Sequence, residues 1–208
     1  IPNGVDIDRF KPGVDHVEWI KCYRSMGEPI ILYVGRLVYR KGVHILVRVM
    51  PQILKEFPNA QLLIAGEGYM KNLIRFLIKN LNLENHVRLL GFVPEEELPS
   101  LYNICHVFVH PSICCEAFGI TILEAMASGK PVVASDDGGI TEIVQDGTTG
   151  LIFKRKDDVD LVDKVLKVLN DRSLYRSLAE KALNMVRERY CWPVVTNRIE
   201  ALYERIGR

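Results

Sequence analysis

Short blocks of consecutive apolar residues alternate along this chain with longer stretches in which apolar residues recur every three or four positions. The blocks cover 30–34, 61–65, 87–90, 106–110, 131–135 and 150–153. Continuous apolar character over so few residues marks strands buried on both faces. The periodic stretches cover 43–57, 69–81, 95–103 and 120–128, with a short one ending near Val144, and they predict helices. A weaker helical pattern over 14–26 rests on Val17, Ile20 and Tyr23. From Asp157 onward the pattern is helical, in two or three segments. Gly35, Gly42, Gly91, Gly129 and Pro131 punctuate the changes of period.

Strands alternating with helices through short loops predict an α/β fold: a Rossmann-like, doubly wound parallel sheet with right-handed crossovers and a helical C-terminal tail. The expected organisation is one domain over 1–208, with a lead-in segment at 1–12, a core sheet at 13–156 and C-terminal helices at 157–208. The chain is long enough for a substantial core, and its formal net charge of +1 argues against general nucleic-acid affinity, so any anion site must be local. Five cysteines with no C-x-x-C pair and no zinc spacing point to buried thiols in a reducing, cytoplasmic setting without a structural metal. No apolar run is long enough to span a bilayer and no signal peptide is visible. The opening Ile-Pro-Asn-Gly, without Met, suggests a piece of a longer protein.

The chemistry concentrates where strands end. Residues 112–119 form a strand-to-helix loop at the carboxyl edge of the sheet, the place where ligands bind in open α/β folds. Glu116 lies in that loop and Glu124 about one turn inside the following helix. Between them Phe118, Gly119, Ile120 and Thr121 put unpaired backbone N–H groups at a helix N-terminus, which suits an anion. The macrodipole alone also explains a Glu in a first turn. Gly35–Gly42 carries Arg36, which can fork onto two phosphate oxygens, and Lys41, a compact point charge; a plain basic surface loop is the alternative. Gly66-Glu67-Gly68 and Asp136-Asp137-Gly138-Gly139 read as tight turns at strand ends. His110, His44 and the pair Cys114-Cys115 carry no motif that marks them as catalytic.

Taken in order, Gly35-Arg36-Leu37 with Lys41-Gly42, Gly66-Glu67-Gly68, Gly91-Phe92-Val93, Glu116-Ala117-Phe118-Gly119 with Glu124-Ala125, and Asp137-Gly138-Gly139 resemble the retaining GT-B glycosyltransferases of family 4. The Glu116–Glu124 spacing matches that family's E-x7-E motif, and Ile1–Asp6 resembles the family's lead into its second domain. The resemblance implies a C-terminal, donor-binding half of a retaining hexosyltransferase that lacks the N-terminal acceptor domain and is inactive in transfer alone. It implies catalytic roles for Arg36 and Lys41, which hold the donor's diphosphate leaving group, and for Glu116, which faces the donor sugar. Glu124 takes the ribose hydroxyls, the backbone of Gly119, Ile120 and Thr121 completes the phosphate site, Val93 borders the base, and Gly35, Gly66 and Phe118 belong to the same donor site. No D-x-D pair stands in this role, so the resemblance implies a nucleoside-diphosphate sugar as substrate with no cofactor and no required metal. The implied partners are that donor and the acceptor domain, with membrane contact only through the latter. Alternatives are a GT-B nucleotide-sugar epimerase, a phosphorylase, or a non-catalytic nucleotide-sugar-binding module. The last helix, with Val195, Ile199, Leu202 and Ile206 on one stripe, packs either on the acceptor half or on the present core.

Overall fold

The computed structural model describes residues 1–14 and 22–206. Its six strands are β1 (Ile30–Val34), β2 (Gln61–Ala65), β3 (Val87–Gly91), β4 (Val107–His110), β5 (Val132–Ser135) and β6 (Leu151–Phe153). They form one sheet in the order β3-β2-β1-β4-β5-β6, and every pairing is parallel. The four inner strands are wholly buried, as their continuous apolar runs require; the edge strands are short or partly exposed. The helices are α1 (Val43–Glu56), α2 (Lys71–Asn80), α3 (Leu98–Ile104), α4 (Ile120–Ala127), α5 (Ile140–Ile143), α6 (Asp158–Asn170), α7 (Arg172–Arg189) and α8 (Trp192–Ile206). Most of the weak helical pattern at 14–26 lies outside the described residues, and its end, Cys22–Met26, is a short 3₁₀ helix.

Alternate residues of each strand feed opposite cores. Ile31 and Tyr33 pack with Leu46 and Met50 of α1, Ile74 of α2 and Leu161 and Val165 of α6. Ile30, Leu32 and Val34 pack with Leu101 of α3, Leu123 and Met126 of α4 and Ala182 and Val186 of α7. The C-terminal helices α6 and α7 are therefore part of the two cores. Each starts on an aspartate cap: Asp157 accepts from the N–H groups of Val159 and Asp160, and Asp171 from that of Leu174. The lead-in segment is pinned to the joint between α7 and α8. Val5 N–H donates to the Tyr190 carbonyl at 2.8 Å, and Trp192 N–H donates to the Val5 carbonyl at 3.3 Å. The indole of Trp192 lies so close over Gly4 that a Cβ there would strike it. Of the α8 stripe Val195 is buried and Ile199 half-buried, while Leu202 and Ile206 are exposed, so only the first part of the stripe packs on this core.

The sheet order reverses between β1 and β4. The connections from their carboxyl ends run to opposite faces of the sheet and open a crevice at the switch point. At its floor the two loops touch through backbone: Gly42, at φ 69°, lies against the Pro111 carbonyl, which a Cβ at Gly42 would overlap. Gly147 has nearly the same φ, 70°, but faces open space. Gly147→Ala should thus cost only the left-handed strain of an L-residue, about 1–2 kcal/mol. Gly42→Ala should cost clearly more in urea denaturation, because the loops must also separate. Equal losses would mean that the two loops part freely.

Candidate functional site

Three strand-end loops interlock at the crevice. The loop after β1 is fixed from below by the Tyr33 hydroxyl, which donates to the Arg36 carbonyl at 2.9 Å. It closes in a 3₁₀ turn, Tyr39–Lys41, ended by left-handed Gly42. The loop after β4 is laced to it: Ile113 N–H donates to the Arg40 carbonyl at 2.8 Å, and the Arg40 guanidinium donates to the Cys115 carbonyl at 3.1 Å. The loop after β5 supplies Asp137, whose Oδ2 accepts from Ser112 Oγ at 3.0 Å and from Glu116 N–H at 2.9 Å. Arg155 donates to its Oδ1 at 3.2 Å.

Glu116 sits at the centre with its side chain only 8% exposed. Lys41 Nζ donates to its Oε2, and His110 Nε2 lies 3.0 Å from the same oxygen. Burial pushes its pKa up, but the hydrogen bonds from His110 and Lys41, together with their charges, outweigh burial and bring it down to about 2. The other oxygen, Oε1, accepts no hydrogen bond from the described residues. Glu124 has the opposite setting. The Tyr102 hydroxyl donates to its Oε2 at 2.7 Å, yet burial dominates and raises its pKa to about 7.

The residues expected at the site fall into three adjoining groups. Gly35, Arg36, Gly66 and Val93 line a cleft of about 340 Å³ with Glu67 and Phe92, at the ends of β1, β2 and β3. Glu124 and Ile120 line a second cleft of about 200 Å³, with Arg9, Phe10, Glu95 and Trp192, and Leu98 borders both clefts. Lys41, Glu116 and Thr121 meet around His110. The Arg36 side chain is exposed and makes no hydrogen bond or ion pair to a described residue. Lys41, which the sequence presents as a loose cation, is instead paired with Glu116. Gly119 has φ 89°, and no side chain caps α4, which leaves its first N–H groups to a ligand or water. Phe118 packs toward the helical side, its ring 6.2 Å from that of Tyr190. Sequence reasoning passed over His110, Asp137 and Tyr102 as site residues. Only Asp137, in a glycine-rich strand-end loop, carried a signal. Among the described residues no cluster of three metal-ligating side chains occurs, and no helix is long and apolar enough to cross a membrane.

The two glutamates predict opposite pH signatures. Glu116 ionises more readily folded than its ordinary 4.5, so the stability it contributes is present above about pH 4.5 and lost as pH falls toward about 2. Glu124 holds its proton more tightly when folded, so the stability of its neutral form is present below about pH 4.5 and lost as pH rises through about 7. Each effect is on the order of 3 kcal/mol. Glu124→Gln, which stays neutral, should gain stability relative to wild type between pH 5 and pH 8 in urea melts; a pH-independent gap would contradict the burial of that carboxyl.

The family model of the glycosyl transferases group 1 matches residues 18–185. An uncharacterised glycosyltransferase of Methanocaldococcus jannaschii is 37% identical over 216 residues, which cover 100% of this chain and 55% of that protein. Sucrose-phosphate synthase from Thermosynechococcus elongatus is similar in structure, with TM-score 0.87 and 31% identity over 100% of this chain and 52% of that one. So is Anabaena HepE in complex with UDP and glucose, with TM-score 0.86 and 25% identity over 97% of this chain and 55% of that one. The chain spans about half the length of the relatives it matches. On this match, with the sheet order and strand-end loops described above, the chain belongs to the glycosyl transferases group 1 family and has the fold of one half of a GT-B enzyme.

Proposed function

We propose that this chain is the donor-binding half of a retaining glycosyltransferase that moves a hexose from a nucleoside-diphosphate sugar to an acceptor hydroxyl. The observation that carries the reading is the crevice at the switch point, where Lys41 of the loop after β1 pairs with Glu116 just ahead of the uncapped N-terminus of α4, with Glu124 one turn further into the helix. A helix N-terminus and two cations suit a diphosphate. The UDP and glucose held by HepE support the same choice of ligand.

In this reading Arg36 and Lys41 hold the diphosphate and stabilise the charge that develops on it as it departs. The N–H groups of Gly119, Ile120 and Thr121 add to that site. The base lies against Gly35, Gly66 and Val93 in the larger cleft, and the ribose hydroxyls donate to Glu124. Glu116 is too acidic to serve as a general base at neutral pH, because the proton it would need to hold leaves at about 2. Its role is to accept a hydroxyl of the donor sugar through Oε1 while Oε2 stays tied to His110. Retention of configuration comes from the family resemblance alone. The cations do the work for which other enzymes recruit a divalent metal. The acceptor is bound by a second, N-terminal half, against which the exposed end of α8, with Leu202 and Ile206, docks. The odd count of five cysteines with no C-x-x-C pair supports a cytoplasmic location.

Titration with UDP, GDP and ADP tests the site. Arg36→Ala should weaken the tightest of the three by about ten- to a hundred-fold, the value of a charged hydrogen bond, and leave affinity for the bare nucleoside unchanged. Equal losses for nucleoside and diphosphate would place Arg36 outside the phosphate site. The two-domain protein should turn over a nucleotide sugar, whereas the 208-residue chain should bind it without transfer; transfer to an acceptor by this chain alone would overturn the assignment.

A further inference from the structure

His110 ends β4 almost wholly buried, and both of its ring nitrogens have partners. Nε2 is 3.0 Å from Glu116 Oε2, and Nδ1 is 3.4 Å from Thr121 Oγ1. The ionised Glu116 carboxylate can only accept, so Nε2 carries the proton. In a neutral ring Nδ1 is then an acceptor, and the Thr121 hydroxyl donates to it. Burial holds the pKa of the ring below its ordinary value. The hydrogen bond to Glu116 opposes this, Lys41 reinforces it, and the charges of Glu116 and Asp137 oppose it. These groups come from every loop around the ring: Lys41 after β1, Glu116 after β4, Asp137 after β5 and Thr121 from the first turn of α4. Without a ligand the ring is neutral, and the one hydroxyl in the first turn of α4 spends its proton inward.

We propose that His110 is a positioning residue that takes up a proton when a diphosphate binds, turning the Thr121 hydroxyl outward to donate to the phosphate. The inference rests on the donor-site reading above. One N–H bond forms, at Nδ1, with a proton from the buffer, and no other covalent bond changes. Thr121 rotates about Cβ–Oγ1 from donating to Nδ1 to accepting from Nδ1–H. Two forces drive the exchange. The diphosphate brings several negative charges close to the ring, which favours its charged form. Lys41, drawn toward the phosphate, leaves Glu116 Oε2 to His110, and a carboxylate in so dry a place needs a cation beside it. His110 never touches the ligand, yet it links the Glu116 carboxylate to the phosphate site.

Calorimetric titration of the chain at pH 8, in two buffers of different ionisation enthalpy, counts the protons taken up. UDP, GDP and ADP are the probes, and inorganic pyrophosphate repeats the measurement without a ribose and so without Glu124. Wild type should take up as much as about one proton per ligand bound. His110→Gln, whose amide can bridge Glu116 and Thr121 without titrating, should bind with none. Thr121→Ser should keep the uptake and Thr121→Val should lose it, which covers the case in which His110→Gln does not fold. Binding by wild type with no buffer dependence, equal uptake in wild type and His110→Gln, or full uptake in Thr121→Val would each overturn the inference and leave the donor site standing. Failure of every diphosphate to bind would overturn the donor-site reading itself, and this inference with it.

Discussion

One buried charge organises the functional end of this fold. The Glu116 carboxylate is withdrawn from water, and a buried carboxylate persists only when it is paired and hydrogen-bonded. Its partners come from three strands that are far apart in sequence: Lys41 from the loop after β1, His110 from the end of β4, and Asp137, which holds the Glu116 backbone, from the loop after β5. The Lys41 and Asp137 contacts each fix one loop against another. Backbone contact between Gly42 and Pro111 sets how closely the first two can approach. The result is a rigid rim on a crevice that the sheet topology opens.

The rim gives the two glutamates of one short segment different chemistry. Glu116, hydrogen-bonded by Lys41 and His110, stays ionised across the physiological range. Glu124, eight positions on, lies under the Tyr102 hydroxyl, largely buried, and its pKa is raised to about 7. A carboxylate beside a diphosphate is repelled by it unless cations stand between. In the proposed donor site Lys41, beside Glu116, supplies such a cation, and the raised pKa of Glu124 lowers its charge near neutrality.

Much of this was legible in the sequence, for stated reasons. Buried parallel strands need continuous apolar runs, so 30–34, 61–65 and 151–153 could be read almost to the residue, and the glycines that allow loops to touch mark where the strands end. The loops that carry Arg36, Lys41, Glu116 and Glu124 could be placed at the sheet edge because strand-to-helix turns have nowhere else to go. The partners could not be read. Lys41 and Glu116 are 75 residues apart, and nothing local to either announces the pair. A lone histidine at a strand end has no pattern, so His110 passes for a packing residue. Tyr102 occupies an ordinary apolar position of α3, and only the fold brings it under Glu124. The stripe on α8 was visible, but its periodicity does not say what covers it. Here Val195 is buried and Ile199 half-buried, and Leu202 and Ile206 face outward.

The central claim is that the crevice between β1 and β4 is a nucleoside-diphosphate site ordered around Glu116. A crystal structure of the chain with its tightest nucleoside diphosphate bound tests it most directly. The account requires the diphosphate at the first turn of α4, within hydrogen-bonding distance of Arg36 or Lys41, the ribose hydroxyls on Glu124, and the base in the cleft lined by Gly66 and Val93. A diphosphate bound elsewhere, or one seated there with its ribose turned away from Glu124, would contradict it.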